Sequence, residues 1–144
     1  MNIKVVQTKE EKNQAFQIRT TVFVEEQKVS MEEEIDEFED SAIHFLGYEN
    51  NLPVAASRLR WLDDYGKLER VCILKEHRGQ SYGTDMINRM ELEVTNKGYT
   101  KTKLNAQTRA VDFYKRLGYT VVSDEFLDAG IPHVTMTKQL KHSL

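Results

Sequence analysis

The residues best placed to do chemistry lie in a short link, His77-Arg78-Gly79-Gln80-Ser81-Tyr82-Gly83-Thr84, between a strand-like run and a helical one. A glycine-containing link that opens a helix turns successive backbone N–H groups toward one point, and the helix dipole adds roughly half a positive charge there. Arg78 adds a full charge on a forked donor that can grip two oxygens. Such a nest suits a pyrophosphate; the bland alternative is a plain turn. The link has neither a Gly-Lys-Ser/Thr ending nor Gly-x-Gly-x-x-Gly, so it is not a familiar nucleotide loop. The remaining reactive side chains are scattered. Cys72 sits inside the apolar run Val71-Cys72-Ile73-Leu74 and reads as a small buried hydrophobe rather than a nucleophile. His44 and His133 lie on or beside strands with no second ligand at metal spacing, so no metal site is expected.

The elements that must position this link follow from periodicity. Ile3 to Gln7 reads as a strand. Thr8-Lys9-Glu10-Glu11 is a capping box, and Ala15, Ile18 and Val22 continue it as a helix that fades near Gln27. Three strands follow: Ala42 to Glu49, Pro53 to Trp61 and Lys67 to Leu74, with turns at Asn50-Asn51 and Asp63-Gly66. From Tyr82 the apolar positions run Met86, Met90 and Val94, a helix stripe ended by Lys97-Gly98. Thr100 to Leu104 is a strand closed by Asn105. Thr108 to Leu117 is a helix capped by Gly118, with Tyr114 on its apolar stripe. Tyr119 to Val122 and His133 to Lys138 close the chain as strands. The order β-α-β-β-β-α-β-α-β-β predicts an α/β fold with a mixed, mostly antiparallel sheet and one parallel pair across the second helix.

Composition sets the bounds. The chain has 144 residues, enough for one domain. With 40% hydrophobic and 30% charged residues it is globular rather than disordered. One cysteine precludes an internal disulfide, and no stretch has the length of a signal peptide or membrane span, so a cytoplasmic protein is expected. Between Glu25 and Asp40 stand nine acids against one base, Lys28, so a chain of net charge −3 is mildly basic elsewhere. A net acidic chain is a poor general nucleic-acid binder, and no nucleic-acid or membrane partner is expected. The acidic stretch is read as loop with room for a helical turn, either a solvated face or a lure for a cationic amine.

The link resembles the acyl-CoA loop of the GNAT superfamily of N-acetyltransferases, Arg/Gln-x-x-Gly-x-Gly/Ala, here Arg78-Gly79-Gln80-Ser81-Tyr82-Gly83. The departure is Ser81, where that family usually has Gly. A second segment, Asn105 through Ala110, Phe113, Tyr114, Gly118 and Tyr119, is similar to the family's other signature. Arg19 to Gln27, Glu33-Glu34-Ile35-Asp36, His44 and Phe126 to His133 resemble the ElaA-like branch, so the likeness covers essentially the whole chain.

The resemblance implies a single-domain GNAT fold over residues 1–144, in which the strand before the loop and the strand ending at Asn105 splay apart around acetyl-CoA, with no metal. Carried over, Val71, Cys72 and Ile73 supply backbone bonds to the pantetheine arm. Arg78, Gly79, Gln80, Ser81, Tyr82, Gly83 and Thr84 hold the pyrophosphate, and Asn105 bonds the arm. A free N–H at Cys72 or Ile73 polarises the thioester carbonyl, and Tyr114 is the candidate general acid for the leaving thiolate. Phe23, Glu26, Glu34, His44, Glu69 and His133 are candidate acceptor contacts; Glu34, His44, Glu69 and His133 are also candidate bases. The implied activity is acetyl transfer to a small-molecule primary amine by direct attack in a ternary complex. The rival readings are a non-catalytic acyl-CoA-binding module and a transferase of a longer acyl group. A homodimer is compatible with either.

Overall fold

A computed structural model describes residues 1–140 of the protein. Its frame is one sheet of strands β1 (Asn2–Val5), β2 (Ile43–Glu49), β3 (Leu52–Leu62), β4 (Tyr65–Ile73), β5 (Lys101–Gln107), β6 (Thr120–Val121), β7 (Phe126–Asp128) and β8 (Ile131–Gln139). The spatial order is β1-β2-β3-β4-β5-β8-β6, and β7 also pairs with β8. Every pairing is antiparallel except β4 with β5. The helices are α1 (Lys9–Arg19), α2 (Met31–Glu34), α3 (Tyr82–Lys97) and α4 (Val111–Arg116). Helix α3 makes the crossover between the parallel strands, as the change of period after Leu74 predicts. No helix among the described residues is long and apolar enough to cross a membrane.

Two apolar layers sandwich the sheet. On one face Ala15, Ile18 and Val22 pack against Leu46, Ala56 and Cys72. On the other, Met86, Ile87, Met90 and Val94 of α3 meet Phe45, Leu59, Leu68 and Leu104. Each large side chain so buried contributes about 1.5–3 kcal/mol before entropy is counted. Gly66 permits the close approach of α3 to β4, since a Cβ there would lie 2.5 Å from Val94 Cγ2.

Helix α1 starts as the capping box dictates. Thr8 Oγ1 accepts the Glu11 N–H at 3.1 Å, and Glu11 Oε1 accepts the Thr8 N–H at 3.1 Å. After Arg19 the chain widens into a π-helical segment, Thr20–Glu26. The β-branched run Thr20-Thr21-Val22 crowds an α-turn, and the wider turn leaves Phe23 and Gln27 partly buried and Glu26 exposed.

The acidic stretch is divided: Glu25, Glu26, Glu32, Glu33, Glu37 and Asp40 are exposed, whereas Glu34, Asp36 and Glu39 turn inward onto buried arginines. Arg19 Nε donates to Glu34 at 2.8 Å, and its Nη1 and Nη2 donate to Glu39 at 2.8 and 2.7 Å. Arg58 donates to both oxygens of Asp36 at 2.7 and 3.0 Å. Arg60 lies 3.9 Å over the Phe38 ring. Glu34, Asp36 and Glu39 are the counterions of arginines from α1, β3 and β4, and these pairs fasten the loop across the sheet.

Three other expectations shift. Strand β5 does not close at Asn105 but runs to Gln107, because β8 continues to pair with it. The segment from Thr108 begins as a 3-10 turn, Thr108–Ala110, before α4. Finally, β7 and β8 form a hairpin around Ala129-Gly130, both at positive φ, which periodicity alone missed.

Candidate active site

The site exists because β4 and β5 part company. They pair in parallel from Gly66 opposite Thr102 to Leu68 opposite Leu104, and no further. On its other edge β4 carries one extra residue: Arg58 faces Glu69 while Ala56 faces Cys72. The bulge is marked by Arg70 at φ +56°, and it bends β4 away from β5. Arg70 holds this geometry by donating from Nη2 to the carbonyls of Glu33 and Glu34 at 3.1 and 3.2 Å. Strand β5 meanwhile stays with β8, through Asn105 opposite Thr135 and Gln107 opposite His133. Leu74 N–H donates to Val54 at 2.9 Å. Alternation along a strand turns Cys72 toward β3 as well and leaves the backbone of Val71 and Ile73 facing the gap. Of the two amides expected to polarise a thioester, the one at Ile73 has the right direction.

A continuous cleft occupies the gap. Its larger chamber, about 760 Å³, is lined by Val71, Cys72, Ile73, Arg78, Gly79, Ser81, Tyr82, Gly83 and Thr84. Its smaller chamber, about 260 Å³, contains Phe23, Glu69, Asn105 and His133. Tyr114, Val71, Gln27 and Arg109 line both, so Tyr114 stands at the junction.

The larger chamber has the features of a diphosphate cradle. The chain turns through Gly79 at φ +84° and Ser81 at φ +64° into α3. Asp85 N–H is the first to bond back, to the Ser81 carbonyl at 3.1 Å, so the amides of Tyr82, Gly83 and Thr84 lead the helix without an intrahelical acceptor. Ser81 takes the left-handed conformation in spite of its Cβ, a cost of about 1–2 kcal/mol. A Cβ on Gly83 would press on Phe113 at 3.2 Å. Gln80 does not line the chamber; its Oε1 accepts from Tyr82 Oη at 3.2 Å. Arg78 reaches across to Glu26 with bonds of 2.6 and 2.8 Å, and its Nε holds the Ile73 carbonyl at 2.9 Å. The free amides, the guanidinium and the unpaired strand edge fit a coenzyme A molecule.

At the junction, burial pushes the Tyr114 phenol up to about 12. Its ring is wedged edge-on between Phe113 and Tyr119. Asn105 Oδ1 accepts from Thr135 Oγ1 at 2.9 Å, which orients the amide. Burial raises the Cys72 thiol to about 12, and its sulfur sits 3.6 Å from the Ala56 carbonyl. It is packing, as its sequence context predicts.

The candidate acceptor residues separate. Burial opposes charge on Glu69, but the bond from Arg60 and the charges of Arg58 and Lys67 prevail and hold its carboxyl at about 2. Glu34 is buried in its pair with Arg19 and lines a side pocket of about 70 Å³ with Phe23 and His133. Glu26 is engaged by Arg78 at the rim. His44 lies elsewhere, in a depression beside Thr8, Lys12 and Asp40. Burial lowers its pKa, and its Nε2 lies 2.7 Å from the Glu39 carbonyl. Residues that the sequence reading passed over include Gln27 and Gln107, whose side chains bond across the cleft at 2.9 Å. Arg109 and Asp128 were missed too. Nothing local marks them; eighty positions separate the two glutamines.

A mixed sheet split beside a helix-opening amide cradle is an arrangement suited to an extended anionic cofactor. Residues 7–140 match the family model described as the acetyltransferase (GNAT) domain. The chain is 47% identical to an uncharacterized N-acetyltransferase, YjcF, of Bacillus subtilis strain 168, over 96% of this chain and 99% of that one. It superposes on the crystal structure of Escherichia coli ElaA with a TM-score of 0.84, 23% identity, and coverage of 96% and 99%. It also superposes on an aminoglycoside 6'-N-acetyltransferase complexed with coenzyme A, with a TM-score of 0.78, 16% identity, and coverage of 100% and 99%. The chain belongs to the GNAT acetyltransferase family, and its chemistry is acyl transfer from coenzyme A.

Proposed function

We propose that the protein moves an acetyl group from acetyl-CoA to a small-molecule primary amine by direct attack within a ternary complex. The observation that carries this reading is the continuity of the cleft, from the amide cradle at Arg78–Thr84, past the Ile73 edge, to Tyr114 and a second chamber. Acetyl-CoA supplies a thioester. The protein supplies fixed donors. Arg78 and the amides leading α3 hold the diphosphate; the β4 edge and Asn105 align the arm; the Ile73 N–H points at the developing oxyanion, a donor already oriented before charge appears. Tyr114 keeps its proton at every physiological pH and offers it to the leaving sulfur. A phenol near 12 gives a proton reluctantly to a thiolate whose reference value is about 8.5, so Tyr114 acts by a hydrogen bond that strengthens as the bond to sulfur breaks. The smaller chamber receives the amine, with Phe23 on the side of the π-helical segment. A reducing cytoplasm suits a chain whose one described thiol is buried.

Incubation with acetyl-CoA and an amine panel, following free thiol, tests the reading. The buried Cys72 does not interfere with a thiol reagent. CoA release that depends on the amine supports the transferase. Binding of acetyl-CoA with no release by any amine would return the protein to the non-catalytic module, and faster turnover of longer acyl thioesters would replace acetyl.

A further inference from the structure

Resting on that reading, we propose that His133 is the proton acceptor for the amine substrate. An alkylamine is mostly protonated at neutral pH and has no lone pair to attack with until a proton is removed. Four groups are available by sequence, and the geometry separates them. Glu69 is locked by three cations, and its low pKa makes it a feeble base. Glu34 is buried with Oε1 paired to Arg19, and it lines only the side pocket, not the chamber that Tyr114 lines. His44 lies outside the cleft. His133 stands on β8 opposite Gln107, two residues from the partner of Asn105, in the chamber that Tyr114 also lines.

Its ring is set for the task. Nδ1 lies 2.7 Å from the Ile131 carbonyl oxygen. A carbonyl only accepts, so Nδ1 carries the hydrogen, and in the neutral ring the lone pair is on Nε2. Phe126 stacks on the ring with centroids 6.0 Å apart and planes at 22°, which fixes its orientation. Nε2 makes no hydrogen bond with the described residues and is not among the buried unpartnered atoms, so it keeps solvent access, and His133 lines both the smaller chamber and the side pocket beside it. The tautomer, the stacking and the open nitrogen together make a pre-oriented base.

The protons balance as follows. The ammonium gives one proton to His133 Nε2. The freed lone pair forms the carbon–nitrogen bond as the carbon–sulfur bond breaks, and the Tyr114 hydroxyl donates a hydrogen bond to the departing thiolate. A second proton from the nitrogen ends on that sulfur, and the amide keeps the third. The imidazolium returns its proton to water, so each turnover releases one proton.

The test uses His133→Asn, whose side-chain amide can replace the Nδ1–H donor to Ile131 but offers no base, and His133→Ala, which leaves room for added imidazole. With a strongly basic alkylamine, kcat falls about 10²-fold in both variants, while the Kd for coenzyme A measured by calorimetry stays within twofold. Imidazole restores the Ala variant in proportion to its concentration. With a weakly basic amine, already neutral at the assay pH, the deficit shrinks toward none. Wild-type rates in both variants overturn the assignment. So does an equal loss with every amine and no rescue, which would make His133 a structural residue. If the wild-type protein takes up no coenzyme A, the transferase reading itself fails and takes this assignment with it; if wild type turns over amines and the variants match it, the assignment alone fails.

Discussion

If Arg78 holds the diphosphate as proposed, Glu26 competes for the same two donors, and that competition gives a measurable sign. Arg78 Nη1 and Nη2 donate to the Glu26 carboxylate at 2.6 and 2.8 Å, while Nε remains on the Ile73 carbonyl. The guanidinium beside it lowers the pKa of Glu26. The two side chains are 40% and 33% exposed, so solvent screens the pair and its worth is about 0.2–1 kcal/mol. Binding coenzyme A through Arg78 gives up that amount. Glu26→Gln therefore tightens the Kd for coenzyme A about 1.4- to 5-fold at low salt. The gain fades at high salt, as the screening length falls from about 10 Å at 0.1 M to about 3 Å at 1 M. Arg78→Ala removes charge-assisted bonds to the diphosphate, worth about 1.5–3 kcal/mol, and weakens Kd roughly 10- to 150-fold. In the Arg78→Ala background Glu26→Gln has little further effect. Calorimetric titration of all four proteins at two salt concentrations measures this. Weaker binding by Glu26→Gln at low salt would refute the competition and show that Glu26 instead steers Arg78 into place.

Three further outcomes follow from the same contacts. Tyr114→Phe lowers kcat about 10²-fold, the low end for a general acid because an alkyl thiolate already leaves fairly well; the Kd for coenzyme A is unchanged, and steady-state kinetics with calorimetry separate the two. Glu69 is held at about 2 against an ordinary 4.5, so its contribution, roughly 3 kcal/mol, is complete above pH 4.5 and lost as pH falls through 2. Urea midpoints between pH 7 and 3 should drop, and Glu69→Gln should flatten that dependence. Arg19→Met leaves Glu34 and Glu39 buried without their cation, which costs about 3–5 kcal/mol. A Tm lowered by roughly 10 °C or more in a thermal melt is expected; a melt within 2 °C of wild type would mean that Arg58 and Arg70 neutralise both acids unaided.

The parts of the fold legible in the sequence were those governed by near neighbours. The Thr8–Glu11 capping box, the Met86-Met90-Val94 stripe, the Asn50-Asn51 turn and Gly98 at the end of α3 each depend on contacts within a few positions. The Arg78–Thr84 link, the candidate diphosphate cradle, was legible as a helix-opening turn for the same reason: its amides are consecutive. Long-range relations were not. The acids between Glu25 and Asp40 have no period, and only the folded chain brings Arg19, Arg58 and Arg70 to Glu34, Asp36 and Glu39 among them. The extension of β5 to Gln107 depends on a partner strand nearly thirty residues away. The β7–β8 hairpin was missed because Phe126–Asp128 is too short for alternation to register.

The sequence by itself determined which residues could hold a coenzyme A diphosphate and that a helix crosses between two parallel strands, because backbone direction and local periodicity are written residue by residue. The tertiary structure alone decided that Glu69 and His133 line the cleft while His44 lies outside it, which amide of β4 faces the gap and which acids are consumed as counterions. Those outcomes depend on desolvation and on distances between side chains remote in the chain, and neither quantity exists until the chain has folded.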